Sequence, residues 1–416
     1  MWKIHGKTYD LQKYIETGSH PGGNRILHLT QGLDDLSSLF ETYHSFAENR
    51  EKIEETLSKY QVDAPADITF EYQSYRELVK QVREILPNRS AIKADSRWVI
   101  QTIYTALLIL FSSYVAFFSR LSFFIRAISA IINGCLTASV GFVILHDASH
   151  YAISKNPTTN EFLSKLTNSF VIWNPILWFY HHVYHHHSFT GIEKRDPDLY
   201  YYYPLMTKTE NKRGIEFTLK NQDWLAPIIL FIFPGLYTGQ VISYFYAAWK
   251  YKYCIVPIPK RTYYDAVDTA IILFKLWALC SGGLGVYICY HLSTNFFYAI
   301  NIIGDHDTLD AGVINHYHPT NNSRDWLKIQ IHNSSNFVNE NLLWTFLFGG
   351  INYQIEHHLF PSVSHIHYPA IAPIVKKYCE ENNIPYVHYH SLWSMFLSHL
   401  QLLSNYKLKA TREKND

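Results

Sequence analysis

Three dense histidine clusters constrain this chain more than any other feature: His146-Asp-Ala-Ser-His150, His181-His-Val-Tyr-His-His-His187 and Gln354-Ile-Glu-His357-His358. Each sits just beyond a long apolar run. Ionisable side chains at the mouth of an apolar bundle are costly, and they mark functional sites by default. Eight or more converging imidazoles exceed what one tetrahedral zinc needs. They suit two transition-metal ions that keep positions open for chemistry.

The spacings place the donors. His146 and His150 stand four residues apart, on one face of a helix. They directly follow the apolar run 121–145. In the second cluster two ligand registers are open, His182 with His186 and His187, or His182 with His185 and His186. The third cluster contributes His357 and His358. Asp147 and Glu356 lie inside the clusters, where they either orient imidazoles as acceptors of the outward N–H or are simply solvated neighbours.

Runs 99–119 and 121–145 are each long enough to cross a hydrocarbon core, which takes about 20 residues. Arg120 and Arg126 near their junction mark a tight hairpin. Further apolar runs occupy 225–248 and 268–304. If all three clusters build one site, an even number of crossings must separate His187 from His357. Two are expected, four in all. Which runs supply them stays open. Lys250, Lys252, Lys260 and Arg261 would prefer the cytosol, which a simple hairpin of 225–248 with the next run denies them; a re-entrant 225–248, kinked at Pro234-Gly235, would not. The tail 305–416 is polar overall and expected on the cytosolic side with the clusters. The aromatic share of 16% suits rings at membrane interfaces. A formal net charge of +1 implies no bulk attraction to nucleic acid. No Cys-x-x-Cys pair occurs, so no disulfide framework is suggested. The first residues carry no apolar core of a signal peptide, and residues 1–98 are expected in the cytosol.

Residues 1–62 read as a small soluble module, and 63–98 as a connector with an amphipathic helix from Tyr75 to Ile85, ended by Pro87. In the module, Ser19-His20-Pro-Gly-Gly23 and Thr42-Tyr43-His44-Ser45 stand out. Glycine has no Cβ, so a Pro-Gly-Gly turn lets backbone approach a planar ligand. A second His on another helix could reach the opposite face. Two axial imidazoles saturate a haem iron and favour electron transfer over oxygen chemistry. With Trp2, Tyr9-Asp10 and Gly32-Leu-Asp-Asp35, the pattern resembles the cytochrome b5 family. That resemblance implies an α+β haem module in which His20 and His44 hold haem b.

With a haem module first and three histidine boxes after it, the whole chain resembles the membrane fatty-acid desaturases, specifically the b5-fused front-end group. Gln354 stands where other desaturases carry His, and Gly349-Gly-Ile-Asn-Tyr-Gln-Ile-Glu-His-His-Leu-Phe-Pro361 is especially similar. His186-His187-Ser-Phe-Thr190 favours the register His182, His186, His187, leaving His181 and His185 as outer neighbours. Asp196-Pro-Asp198 also follows the family pattern. The resemblance implies an all-α membrane domain over 99–416, with four transmembrane helices and a cytosolic helical cap. It implies two Fe ions held by His146, His150, His182, His186, His187, His357 and His358, with Gln354 in the catalytic set. A further ligand is implied near the last span, for which His306 is the candidate, with His332, His316 and His318 as rivals. His365 and His367 read as ordinary polar residues of a tail helix.

The activity implied is O₂-dependent desaturation of a fatty acyl chain, on the carboxyl side of an existing double bond. Electrons would come through the fused haem from an NADH-cytochrome b5 reductase, at the endoplasmic reticulum membrane. Sphingoid-base desaturases and membrane hydroxylases share the scaffold. A membrane-anchored b5-type electron carrier is the non-enzymatic alternative, but it needs no boxes. The sequons at Asn88, Asn321 and Asn333 fall on the expected cytosolic side and should be unused.

Overall fold

The computed structural model describes residues 1–67, 69–200, 204–209, 214–232, 252–253, 256–257, 264–311 and 324–407. Most of the run 225–248, with Pro234-Gly235, lies outside them, as do Lys250, Lys260, Arg261, His316 and His318.

The N-terminal module is built on a three-stranded antiparallel sheet. Strand Trp2–Ile4 pairs with Lys7–Tyr9, which pairs with Gln61–Pro65. The sheet therefore closes with residues beyond position 62. Trp2 is buried against it, and its indole N–H donates to Leu27 O at 2.9 Å. Short helices Asn24–Thr30 and Ser37–His44 complete the module's inner face.

The connector carries the expected helix, at Gln73–Val82, and buries Tyr75, Leu78, Val79 and Val82. These residues share one apolar core with the module's Trp2 and Phe46 and with Trp326, Phe360 and Ile371 from the far end of the chain. Buried Glu41 of the module accepts from Arg50 at 2.8 Å and from Arg76 of the connector at 2.7 Å, with His5 Nε2 also at 2.7 Å. Burial works against this carboxylate, but those hydrogen bonds and charges outweigh it and hold its pKa far below the usual range. The connector is thus a packed layer between module and cap, not a free tether.

Among the described residues, two helices are long and apolar enough to cross a membrane, Ser96–Phe118 and Phe123–Ser149. Their outward faces expose Leu107, Leu110, Phe111, Phe123 and Phe124. Contiguous apolar surface of this kind marks contact with lipid or a partner. The apolar run 268–304, too long for one crossing, is two helices, Ala266–Ser281 and Leu284–His306. Gly283, at φ +80°, makes the turn between them in the left-handed region that glycine tolerates. The second packs along Phe123–Val140. Gly134 permits that approach: a Cβ there would meet Tyr290 O and Ser293 Oγ. Small residues at such crossings let backbones close up, because packing drives helix association in lipid.

The tail is not uniformly polar. Helix Leu342–Phe348 exposes Leu342 at 78% and Leu343 at 62%, and helix Leu392–Tyr406 packs against Leu284–His306. Asn333 is buried and donates to Ile329 O, so its sequon is sterically closed.

Gly134→Leu should separate the two packed helices and destabilise the protein by roughly 1–3 kcal/mol, the usual cost of overpacking. A lowered midpoint for loss of the monodisperse peak, on heating in detergent, would register this.

Candidate metal centre

Boxes one and two are each carried by a π-helical segment, Gly141–His146 and Phe179–His186. π-turns inside α-helices occur frequently at functional sites. In a π-turn the residues stacked on one face are five apart. His182 and His187 accordingly bring their ε nitrogens to 3.2 Å. The third box lies on helix Gln354–Leu359, where adjacent residues point about 100° apart. His357 and His358 therefore serve different points in space.

Those points are two. His146, His150, His182, His187 and His357 form one group, all buried. His146 Nε2 is 3.0 Å from His182 Nε2, and His357 Nε2 is 3.0 Å from His187 Nε2. His186, His306 and His358 form the second group, with His186 and His306 ε nitrogens at 3.1 Å. The second box is thus divided, His182 and His187 to one group and His186 to the other. Among the described residues, the rival His332 belongs to neither group. Gln354 Nε2 lies 2.8 Å from His306 Nε2, while its buried Oε1 has no partner. Half a turn of the amide would present that oxygen to the three-histidine group as a further donor.

The outward nitrogens fix the tautomers. His186 Nδ1 faces Asp196 Oδ1 at 3.0 Å and Asp198 Oδ2 at 3.2 Å. His306 Nδ1 donates to Asn333 O at 2.5 Å, and His358 Nδ1 to Gln330 Oε1 at 2.8 Å. His357 Nδ1 is 3.1 Å from Tyr368 Oη, and His150 Nδ1 is 3.0 Å from Tyr43 Oη. With δ protons directed to these acceptors, the ε lone pairs point inward, the arrangement metal-ligating imidazoles adopt. The ε nitrogens of His150 and His358 are buried without a hydrogen-bond partner, an uncompensated cost unless an ion accepts their lone pairs. Burial depresses the pKa of His150, His182, His187, His357 and His358. His186 is the exception: burial opposes its charge, but Asp198 and Asp196 raise it to about 9.

Several outer roles differ from the sequence expectation. Asp147 reaches no box imidazole; its Oδ2 takes His365 Nδ1 and Ser364 Oγ, each at 2.9 Å. His365 is not an ordinary polar residue of the tail, since it is buried and its Nε2 meets Gln101 Oε1 at 2.9 Å, tying the first apolar helix to the third box. His367 is half-buried on Lys93 O. Glu356 accepts from Asn336 and Tyr386, each at 2.8 Å, and burial pushes its pKa up to about 7. His181 does sit outside the groups, on Asp198 at 2.5 Å, and His185 faces Tyr184 and Phe189. Gln330, Tyr368 and Tyr43 contact box imidazoles, a role the sequence pattern did not point to, because each reaches its imidazole only through packing.

In the module, His20 and His44 face each other with ring centres 6.4 Å apart. Their δ nitrogens meet backbone carbonyls, Gly23 O at 2.9 Å and Phe40 O at 2.8 Å. Burial lowers the His44 pKa to about 4, so its imidazole is neutral near pH 7.

An apolar cavity abuts the five-histidine group. It is lined by Gly141, Phe142, Leu145, His146, Trp173 and Trp178 among others. A Cβ added at Gly141 would meet nothing within 4 Å.

The family model for fatty acid desaturase matches residues 121–390, more than half of the chain. The chain belongs to the fatty acid desaturase family. It is 26% identical to an acyl-lipid (8-3)-desaturase of Mortierella alpina, over 99% of this chain and 94% of that one. A probable Delta(5) fatty acid desaturase C of Dictyostelium discoideum is 28% identical, over 97% and 90%. A chloroplastic acyl-lipid (7-3)-desaturase of Chlamydomonas reinhardtii is 28% identical, over 93% and 77%. The resemblance to desaturases read from the boxes is borne out, and this desaturase is an oxidoreductase associated with membranes.

His306→Ala should remove about half of the bound metal, because the second group retains only two imidazoles, whereas His146→Ala, which leaves four in the five-histidine group, should weaken retention there without emptying it. Asp196→Asn should weaken retention at the second group by about 10–100-fold, the usual effect of losing an outer partner. Elemental analysis of purified variants during chelator titration measures all three.

Proposed function

We propose that the chain is an O₂-dependent front-end desaturase that introduces a double bond into a fatty acyl chain between an existing double bond and the carboxyl end. The observation that carries this is the pair of inward-facing imidazole groups, the larger of which abuts an apolar cavity. The names of the relatives, acyl-lipid (8-3)- and (7-3)-desaturases and a Delta(5) desaturase, support an acyl-lipid substrate.

The donor set fits two iron ions. His146, His150, His182, His187 and His357 would hold one, and His186, His306 and His358, with Gln354 able to add its oxygen, the other. Bound there, the irons would supply the O₂ chemistry that removes hydrogen from an unactivated methylene, for which no side chain is competent. The chain's own residues do the positioning. Trp173, Trp178, Phe142 and Leu145 line the apolar cavity beside His146 and would keep water from an acyl chain bound there. Asp196, Asn333, Gln330 and Tyr368 fix ring orientation, and all-imidazole ligation contrasts with the Glu-rich di-iron bundles of soluble carboxylate proteins.

His20 and His44 fit a haem. Two nitrogen–metal bonds of about 2 Å each place the ring centres roughly 6 Å apart, close to the observed 6.4 Å. Gly22 belongs to the turn that holds His20, and a Cβ there would strike the His20 ring at 2.8 Å. Haem b held between these residues would supply single electrons, with an NADH-cytochrome b5 reductase as donor and the endoplasmic reticulum as location. Helices Ala266–Ser281 and Leu284–His306 would form the second membrane hairpin, which keeps the histidine groups, the module and the tail on the cytosolic side.

Expression in yeast fed defined unsaturated fatty acids should yield products with one additional double bond nearer the carboxyl end, located by mass spectrometry. Hydroxylated lipids without new alkenes would overturn the reading. His20→Ala should abolish the Soret band and activity while iron content stays at the wild-type level; loss of iron with it would contradict separate haem and iron sites. Gly141→Leu, which fills the apolar cavity, should lower product yield by at least tenfold with haem and iron unchanged.

A further inference from the structure

The residue that precedes the proposed haem ligand His44 hydrogen-bonds a residue of the proposed iron centre. Tyr43 Oη lies 3.0 Å from His150 Nδ1. This contact is embedded in a fixed seam. Tyr180, just before the second box, donates to Leu29 O at 3.0 Å, the Asp35 N–H donates to Tyr184 Oη at 3.3 Å, and Ser362 donates to Thr42 O at 3.2 Å. The gap at the seam is lined by Leu39, Thr42 and Tyr43 from the module and by His150, His187 and His358 from the two groups. His150 Nε2 is turned inward with no hydrogen-bond partner, so His150 has one nitrogen in the centre and the other on Tyr43.

We propose that Tyr43 is the bridge through which the module delivers electrons: the path runs from His44 along the backbone to Tyr43, across its hydrogen bond to His150, and into the metal centre. The proposal rests on the haem and di-iron reading above. Each passage oxidises one ferrous haem to ferric and reduces the metal centre by one electron. Two passages supply a turnover, and a nicotinamide-linked reductase re-reduces the haem each time. Tyr43 transfers no proton and stays a closed-shell phenol. Its oxygen accepts the δ N–H that a neutral, metal-bound His150 carries. The route is short because the module is docked, so the electron need not wait for a diffusing domain to find its acceptor.

The test uses the full-length protein loaded with haem and iron, in detergent or nanodiscs. The haem is reduced by a light flash without O₂, and its re-oxidation by the metal centre is followed in the visible band. Tyr43→Phe keeps the ring and removes the oxygen. Expected is a fall in the haem-to-metal rate of at least about tenfold, equivalent to ~1.4 kcal/mol on the barrier. Haem content, iron content and haem midpoint potential should remain as in the wild type, and chemical reduction of the metal centre by a small mediator should be equally fast in both. Tyr184→Phe, which removes a docking hydrogen bond away from His150, should leave the rate unchanged.

A rate within twofold of the wild type in Tyr43→Phe overturns the proposal. So does an equal slowing in Tyr184→Phe, which would assign the effect to docking, and so does loss of haem or iron in Tyr43→Phe, which would make Tyr43 a packing residue. Failure of the underlying reading is separately visible: the wild-type protein would then lack a Soret band or iron, or show no re-oxidation of the haem.

Discussion

Eight imidazoles held with their ε nitrogens inward are the condition on which the rest of this structure depends. In the five-histidine group, neutral imidazole lone pairs crowded at 3.0–3.2 Å repel one another when all point inward. Without an ion, each is a buried polar group whose solvation has been lost. The protein organises the arrangement from outside. Carboxylate, amide, carbonyl and phenol oxygens around the shell take the δ protons of His186, His358, His306, His357 and His150. These contacts come from segments as far apart in sequence as Tyr43 and Tyr368, so the chain must be fully folded before the site exists.

Helix geometry then decides how the donors are shared. A regular α-helix through the second box would align residues four apart. The π-helical segment Phe179–His186 instead brings the ε nitrogens of His182 and His187 together and directs that of His186 to the second group. The third box achieves the same division with two adjacent histidines on an ordinary helix. Division of this kind turns a run of similar side chains into two separate holders, one of five imidazoles and one of three plus an amide. The glycine at 134 and the left-handed turn at Gly283 set how closely the long helices approach, and hence where His146 and His306, near their ends, come to rest.

The connector was the largest departure from expectation. Its sequence reads as a connector with one amphipathic helix, and a flexible connector would act by effective concentration. The apolar face of that helix is instead buried between the module and the tail. Arg76 reaches back to Glu41. A packed layer replaces a diffusional search by one fixed geometry, at the expense of conformational freedom that a linker would keep.

The clustered residues were legible: seven box histidines and Gln354 could be named from cluster spacing and family resemblance, and His306 as one candidate among rivals, because residue type and local periodicity carry that information. The first two apolar helices were legible for the same reason, since about 20 apolar residues meet one physical requirement wherever they occur. What the tertiary structure decided was pairing across long sequence separations. It assigned each histidine to a group, gave Asp147 to His365 and not to a box imidazole, and turned Glu356 toward Asn336 and Tyr386. It also brought Tyr43 to His150. Such contacts follow from how helices pack, and packing is a property of surfaces that meet only after folding. A one-dimensional pattern shows which chemistry a chain can hold, and the close-packed interior determines which atoms face each other.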